Sequence, residues 1–197
     1  MNNGYNFILA SASPRRKELL STYIKDFKIM PADIEETVPA NIEKEAVPLY
    51  IAQQKAAAVK PQMNENDIII TADTIVLLDD IIYGKPKDKN DAFNMVNNLS
   101  GKEHKVITGV CCFCGDGKIN IEFADTTLVT FTKLEKNTIE SYLTKNEYTD
   151  KAGAYAVQGY AALFVEKING SYDNVVGLPI GRLMRELLKC NINIFQI

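Results

Sequence analysis

The sequence predicts an α/β protein built on a mixed, twisted sheet with helices on both faces. Helix-like segments alternate with short apolar runs that are typical of strands. The middle of the chain also carries strand–turn–strand patterns that favour antiparallel pairing. A chain of 197 residues can bury a sizeable core. We therefore expect a single domain over residues 1–197.

The first half of the chain begins with a β-loop-α unit. "FILAS" predicts a strand, and Ser13-Pro14 predicts a helix running through "RRKELLSTYI", because serine caps free N–H groups and proline suits the first turn. An extended, acidic segment, "FKIMPADIEETVP", follows. A second helix is expected around "EKEAVPLYIAQQKAAAV", with Pro48 as a kink or boundary. "DIIITADTIVLLDDIIYGKP" predicts two or three buried strands around an Asp79-Asp80 turn.

The second half continues with a polar helix at "DKNDAFNMVNNLSG". "HKVITGVCCFCGDGKINIEFADTTLVTFTKL" predicts a hairpin of strands around an Asp116-Gly117 turn. A helix at "LEKNTIESYLTK", a glycine-rich segment, "DKAGAYAVQGYAALFVEKINGSY", and a closing helix around "LPIGRLMRELLK" complete the chain. The sequence shows no repeat, low-complexity tract or linker.

Composition excludes several classes of function. The balance of 22 Lys+Arg against 25 Asp+Glu is mildly acidic, which argues against a broad nucleic-acid-binding face. Any anion site must therefore be local. No uncharged apolar run approaches the roughly 20 residues that a membrane span needs. We expect a cytoplasmic protein that binds neither nucleic acid nor membrane.

Three cysteines, Cys111, Cys112 and Cys114, are crowded into "GVCCFCGD" and raise the question of a metal site. Zinc sites usually combine one Cys pair with a second pair of Cys or His. Here the only distant cysteine is Cys190 and the only histidine is His104. The cluster is better interpreted as a strand that uses cysteine as a small hydrophobic residue.

The start of the first helix concentrates positive charge. Arg15, Arg16 and Lys17 follow Ser13-Pro14, although the positive end of the helix dipole disfavours cations there. A bound phosphate would neutralise these cations and accept hydrogen bonds from the free N–H groups of the first turn. The pattern therefore indicates an anion site.

Asp73 is the second anomaly, because it lies between the apolar runs "IIIT" and "IVLL". A bare carboxylate is costly to bury, so Asp73 is either neutralised by a cation or backbone N–H groups, or faces a cleft where it binds a metal or activates water. Lys85 in "YGKPKD" and Lys55 in "IAQQKAAAV" have simpler interpretations when each is taken alone. Lys85 would be solvated, and Lys55 would extend its charge to water.

Together these residues form a set with a common chemistry. Arg15, Arg16, Lys55 and Lys85 can neutralise phosphates, while Asp73, with Glu35 or Glu36 from the "DIEET" segment, can hold a divalent cation. Hydrolysis of a polyphosphate needs this charge neutralisation and a positioned water. The phosphate-loop, dinucleotide-binding and G-x-S-x-G signatures are absent from the sequence.

Five motifs in order resemble one family: "LASASPRRKELL", "ADTIVLLDDIIYGKP", "LSGKEHKVITGV", "DKAGAYAVQG" and "GSYDNVVGLPI". The chain resembles the Maf family of nucleoside triphosphate pyrophosphatases, once described as septum-formation inhibitors, from about Phe7 to Leu188. The resemblance implies cleavage between the α and β phosphates, giving a monophosphate and pyrophosphate, with Mg²⁺ or Mn²⁺. It also implies two lobes with a central cleft, similar to inosine triphosphate pyrophosphatases, and a homodimer.

The resemblance assigns roles to individual residues. Asp73 would accept the proton of the attacking water, and Glu36 would lie with Asp73 at the metal. Gln158 precedes Gly159, as in the dTTP- and UTP-hydrolysing subfamily, and its amide suits the O4 and N3–H edge of a pyrimidine. The residues implied to bind substrate are Ser13, Arg15, Arg16, Lys55, Thr74, Lys85 and Gln158, of which Arg15, Thr74 and Gln158 match positions tied to base choice.

Small departures from the family pattern occur at Thr71, Asp80 and Ala156, where glycine is common. Alternative interpretations are a purine-directed pyrophosphatase that clears altered nucleotides, and a non-catalytic, nucleotide-binding regulator of septum formation. A third is a purely structural salt bridge between the arginine pair and Asp73. The retained Asp73, Lys55 and Lys85 favour an enzyme, and the place of Gln158 favours a pyrimidine substrate.

Overall fold

The computed structural model describes residues 4–193 and shows an α/β fold. Its seven-stranded sheet has the order β2-β1-β3-β5-β6-β7, and β4 also pairs with β3. The strands are β1 (Asn6–Leu9), β2 (Phe27–Ile29), β3 (Asp67–Leu78), β4 (Ile81–Tyr83), β5 (Glu103–Cys114), β6 (Asn120–Phe131) and β7 (Val165–Asn169). The helices are α1 (Pro14–Ser21), α2 (Val47–Val59), α3 (Lys89–Leu99), α4 (Lys136–Leu143), α5 (Tyr172–Val176) and α6 (Ile180–Lys189).

Strand directions make the sheet mixed. Strand β1 pairs in parallel with both β2 and β3. Strand β4 is antiparallel to β3, and β7 is antiparallel to β6. The predicted α/β class with a mixed sheet and flanking helices is therefore confirmed. Among residues 4–193, no helix is both long enough and apolar enough to cross a membrane.

The chain divides into two compact units, each with its own apolar core. Among the described residues, the first unit comprises residues 4–73, 108–125 and 177–193, and the second comprises Thr74–Ile107 and Thr126–Val176. Core residues of the first unit include Phe7, Leu9, Leu20, Ile70 and Leu183. Those of the second include Val76, Leu99, Phe131, Ile139 and Phe164. The single domain over residues 1–197 and the central cleft stay predictions.

Local sequence chemistry explains most element boundaries. The Ser13 hydroxyl accepts a hydrogen bond from the Arg16 N–H at 3.5 Å, and Pro14 opens α1, as predicted. Helix α2 begins at Val47, so Pro48 marks its start rather than a kink. Asp79 and Asp80 have φ values of 48° and 64°, which closes a tight turn between β3 and β4.

Some elements differ from the prediction. Helix α1 ends at Ser21 rather than continuing through "TYI". The glycine-rich segment contains two short 3-10 turns and strand β7, and α5 follows it. Strand β7 alternates only weakly between buried and exposed positions, so its pairing with β6, rather than its own sequence, defines it as a strand.

The cysteine cluster is structural, as the sequence indicates. Cys111, Cys112 and Cys114 are buried on β5 with free thiols. Burial raises the pKa of Cys111 to about 12, so this thiol stays protonated at neutral pH. Within the described part of the chain, no group of three or more His, Cys, Asp or Glu side chains could hold a metal ion.

Candidate active site

The first turn of α1 carries a guanidinium that is fixed in place. Arg16 donates from Nε to the Gly177 carbonyl at 2.8 Å and from a terminal nitrogen to the Ser11 hydroxyl at 3.2 Å. The same hydroxyl accepts the Ser13 N–H at 3.2 Å. Burial lowers the pKa of Arg16, and the Asp73 carboxylate partly offsets this effect. A permanent cation is thus held where the helix N-terminus already favours an anion.

Lys55 lies between two carboxylates. Its ammonium is 2.7 Å from an Asp73 oxygen and 2.8 Å from a Glu36 oxygen. The Lys55 and Asp73 side chains are only 14% and 15% exposed, whereas Glu36 is 45% exposed. Asp73 is therefore neutralised by a cation, as one of the two sequence interpretations requires. The simple interpretation of Lys55 as a lysine that extends its charge to water is wrong.

The way α2 packs against β3 explains why Lys55 contacts Asp73. Thr71 and Asp73 are two residues apart on β3, so their side chains point to the same face. Ala52 and Lys55 are three apart on α2 and share one helix face. The buried Thr71 hydroxyl donates to the Ala52 carbonyl at 2.8 Å. This bond fixes the helix against the strand one turn before Lys55.

A second pair of hydrogen bonds holds the segment that carries Glu36 against α2. The side-chain amide of Gln54 donates to the Thr37 carbonyl, and its oxygen accepts the Thr37 N–H at 3.3 Å. Gln54 precedes Lys55 on α2, and Thr37 follows Glu36. The reciprocal bonds therefore hold the acidic segment beside the helix, so Glu36 can reach the ammonium.

The environment of Asp73 makes it a stronger base than an ordinary aspartate. Burial raises the pKa of the carboxyl, Lys55 and Arg16 lower it, Glu36 raises it, and the net shift is upward. A carboxylate with a raised pKa binds a proton more readily at neutral pH. Asp73 is therefore suited to take a proton from water.

Three further predicted residues, Thr74, Lys85 and Gln158, belong to the second unit and are described within it. Lys85 is exposed in the loop after β4, and Gln158 is exposed between two 3-10 turns. Thr74 is half-buried and directly follows Asp73 on β3. The Gly153 N–H donates to the Gly84 carbonyl at 3.0 Å. The loop carrying Lys85 and the segment carrying Gln158 are thus hydrogen-bonded to each other.

Sequence reasoning missed the residues that support this arrangement. Ser11 and Gly177 fix Arg16, and Gln54 and Thr71 fix the partners of Lys55. Thr71 was noticed only as a departure from a glycine pattern. Its hydrogen-bonding role could not be inferred, because the acceptor lies 19 residues away in the chain.

The donor set is compatible with a divalent cation. One carboxylate oxygen of Glu36 and one of Asp73 lie 2.8 and 2.7 Å from the Lys55 ammonium, so the two carboxylates share one cationic partner. Mg²⁺ commonly uses one or two carboxylates and completes its coordination with water and substrate phosphates. The residues therefore fit a metal that binds together with a polyphosphate.

Comparison with known proteins places the chain in a family. A family model described as Maf-like protein matches residues 6–190. The chain is 46% identical over 195 residues to a dTTP/UTP pyrophosphatase of Ruminiclostridium cellulolyticum. The aligned region covers 97% of this chain and 99% of the relative. The chain is 48% identical over 188 residues to one of Phocaeicola vulgatus (94% and 96% covered), and 47% identical over 182 residues to one of Pyrococcus abyssi (92% and 94% covered).

Among solved structures, the chain resembles a nucleoside-triphosphatase, or dITP/XTP pyrophosphatase, of Mycobacterium abscessus with a TM-score of 0.41 and 10% identity. That match covers 66% of this chain and 75% of the other and is too remote to bear on fold or activity. The family-model match and the near full-length relatives decide the matter: the chain belongs to the Maf family.

Proposed function

We propose that the protein is a nucleoside triphosphate pyrophosphatase that hydrolyses dTTP and UTP to the nucleoside monophosphate and pyrophosphate. The observation that carries the proposal is the buried Lys55–Asp73 pair with Glu36, which joins a basic carboxylate to a cation that can bind phosphate. Curated relatives that share 43–48% of residues over nearly the whole chain are named dTTP/UTP pyrophosphatases.

The reaction follows from the chemistry of these residues. Asp73 takes a proton from water while the water oxygen bonds to phosphorus at the α–β anhydride. The bond between that phosphorus and the bridging oxygen breaks, and the bridging oxygen leaves on the other phosphate, so that pyrophosphate and the nucleoside monophosphate separate. Arg16 and Lys55 stabilise the negative charge that builds up on the phosphate oxygens. The proton on Asp73 returns to solvent after the products leave.

A divalent cation, Mg²⁺ or Mn²⁺, is part of this proposal. Glu36 and Asp73 are the residues that would hold it. When bound, it would supply Lewis-acid neutralisation of the phosphate charge. Lys55 then has the phosphate oxygens as alternative partners for its ammonium.

Recognition of the nucleotide involves both ends of the substrate. Ser13, Arg15 and Lys85 are proposed to bind phosphates, in keeping with their positions at a helix start and in a loop. Thr74 and Gln158 are proposed to select the base, and Arg15 also matches a position tied to base choice. The Gln158 amide can both donate and accept, which suits a thymine or uracil edge.

The proposal extends to the oligomeric state of the protein and to its location in the cell. A homodimer is proposed from the family resemblance. A cytoplasmic location is proposed because all four cysteines are free, as expected in a reducing compartment. Light scattering of the purified protein tests the homodimer, and fractionation of cells tests the location.

A product assay tests the proposed function. Purified protein is incubated with Mg²⁺ or Mn²⁺ and, separately, dTTP, UTP, CTP, GTP, ITP and 7-methyl-GTP, and pyrophosphate is separated from orthophosphate. We expect pyrophosphate with TMP or UMP. Preferred turnover of ITP or 7-methyl-GTP would favour a purine-directed enzyme. Binding of a triphosphate with no turnover would favour a non-catalytic regulator.

A further inference from the structure

Three consecutive residues anchor the segment that carries Gln158, which we call the recognition segment (residues 151–158). The Gly153 N–H donates to the Gly84 carbonyl at 3.0 Å. The Tyr142 hydroxyl donates to the Ala154 carbonyl at 3.0 Å. The Tyr155 hydroxyl is hydrogen-bonded to His104 Nε2 at 2.8 Å. All these residues belong to the second unit, so their arrangement is independent of the first.

The backbone of the recognition segment needs these anchors. Gly153 and Ala154 have φ values of 67° and 60°, in the left-handed region. For the alanine this conformation costs about 1 kcal/mol, because its Cβ approaches a backbone oxygen. Gly153 also approaches Val76 so closely that an added Cβ would lie 3.0 Å from a Val76 methyl group. Such a conformation persists only when the surrounding contacts hold it.

The His104–Tyr155 contact is not explained by packing alone. Both rings lie edge-on to Phe131, with centroids 5.0 and 4.8 Å from it, in a buried cluster. A phenylalanine in place of His104 could occupy the same apolar cluster. Instead the imidazole is buried with Nδ1 lacking a hydrogen-bond partner among the described residues. That burial is costly, and the hydrogen bond to Tyr155 is the feature that distinguishes histidine from phenylalanine there.

Both members of the pair are neutral under ordinary conditions. Burial lowers the pKa of His104 to about 4 and raises the pKa of Tyr155. At pH 7 the contact is therefore a neutral hydrogen bond between an imidazole and a phenol. It acts as a fixed tie and carries no proton in the reaction.

We propose that His104 and Tyr155 are positioning residues, whose hydrogen bond fixes the recognition segment so that Gln158 discriminates between pyrimidine bases. This inference rests on the proposed function, because it assigns the residues that place a base-selecting amide. Tyr155 precedes Gln158 by three residues, directly after the two left-handed residues. Loss of the tie would leave Gln158 present but poorly placed.

The test compares UTP with CTP, which differ at the positions that the Gln158 amide would contact. In Tyr155→Phe and His104→Phe, kcat/KM is measured for both nucleotides. We expect the UTP:CTP ratio to fall roughly three- to tenfold, as for the loss of one well-placed hydrogen bond, mainly through the KM for UTP. His104→Gln can still bond to the phenol and should recover part of the ratio.

The matched control is Thr127→Val, which removes another buried hydroxyl of the second unit. Thr127 donates to the Ser171 carbonyl at 3.1 Å, outside the recognition segment. We expect it to lower stability with an unchanged UTP:CTP ratio. If Tyr155→Phe fails to fold, the comparison of His104→Phe with His104→Gln and Thr127→Val decides the question.

A double-mutant cycle separates positioning from general loosening of the fold. In a Gln158→Ala background, Tyr155→Phe should no longer change the UTP:CTP ratio, because the positioned group is gone. Equal effects in both backgrounds, or an unchanged ratio in Tyr155→Phe itself, would overturn the inference. A wild-type protein that hydrolyses neither dTTP nor UTP would instead refute the proposed function.

Discussion

Asp73 is the residue that the proposed mechanism makes the acceptor of the water proton. It is the buried partner of Lys55, and its pKa is raised mainly by burial. We expect Asp73→Asn to lower kcat by about 10²–10⁴, since an amide cannot accept the proton of the attacking water. Steady-state release of pyrophosphate from UTP measures this effect. Circular dichroism should show a folded protein.

Asp67 provides the matched control, because it is a buried aspartate on the same strand. Its carboxylate accepts hydrogen bonds from the Asn6 amide and from both the backbone and side-chain nitrogens of Asn64. We expect Asp67→Asn to lower the melting temperature and leave kcat nearly unchanged. Equal turnover by wild type and Asp73→Asn would remove Asp73 from the mechanism.

His104 makes stability depend on pH. Burial lowers its pKa from 6.5 to about 4, so between these values the unfolded chain binds a proton that the folded chain does not. The full stability is present above pH 6.5, and it falls as the pH drops toward 4. The shifted pKa of this histidine should lower the free energy of unfolding by about 3 kcal/mol over that interval.

The measurement is urea denaturation of wild type and His104→Phe between pH 7.5 and 4. Because carboxylates also titrate in this range, the difference between the two proteins isolates the histidine. We expect wild type to lose more stability than the variant as the pH falls. Parallel pH profiles for both proteins would show that His104 titrates normally in the folded state.

At the scale of elements, the packing of α2 against β5 leaves no room for a side chain at Gly109. A Cβ there would lie 2.2 Å from the Leu49 nitrogen and 2.4 Å from the Pro48 carbonyl carbon. Neither backbone atom can move without displacing the helix that carries Lys55. We expect Gly109→Ala to destabilise the fold by about 3 kcal/mol or more, and to reduce activity in any protein that remains folded.

Gly181, in α6, is the control for this substitution. The nearest atom to an added Cβ is a terminal nitrogen of Arg185 at 3.6 Å, an ordinary contact. Alanine is favoured over glycine inside a helix, so Gly181→Ala should stabilise by up to about 1 kcal/mol. Chemical denaturation of the two variants compares them directly. Equal stability of wild type and Gly109→Ala would mean that α2 is not packed this closely.

Elements were predictable where local chemistry defines them. Ser13-Pro14 opens α1, Asp88 caps α3 and Asp79-Asp80 turns the chain, each through contacts within a few residues. Strand β7 was missed because its definition comes from pairing with β6 about 40 residues earlier. The site follows the same rule. The anomalous charges identified Arg16 and Asp73, whereas the partners of Lys55 depend on how α2 meets β3.

At the scale of the whole molecule, the melting temperature measured with and without a divalent cation tests the proposed metal site and requires no turnover. In wild type the Lys55 ammonium already neutralises Glu36 and Asp73, so a divalent cation must compete with it. In Lys55→Met the two carboxylates lose the ammonium, and a bound divalent cation would neutralise them instead. We therefore expect Mn²⁺ alone to raise the melting temperature of Lys55→Met more than that of wild type.

The size of this effect follows from linkage between binding and folding. A cation at 100 times its dissociation constant stabilises the folded state by about 2.7 kcal/mol, or roughly 5–10 °C for a chain of this size. Lys60→Met removes an exposed lysine at the end of α2 and should respond like wild type. Adding Glu36→Gln to Lys55→Met should abolish the extra shift, because one of the two carboxylates is then neutral. An equal shift in all four proteins would place the Mn²⁺ elsewhere and remove Glu36 and Asp73 as its ligands.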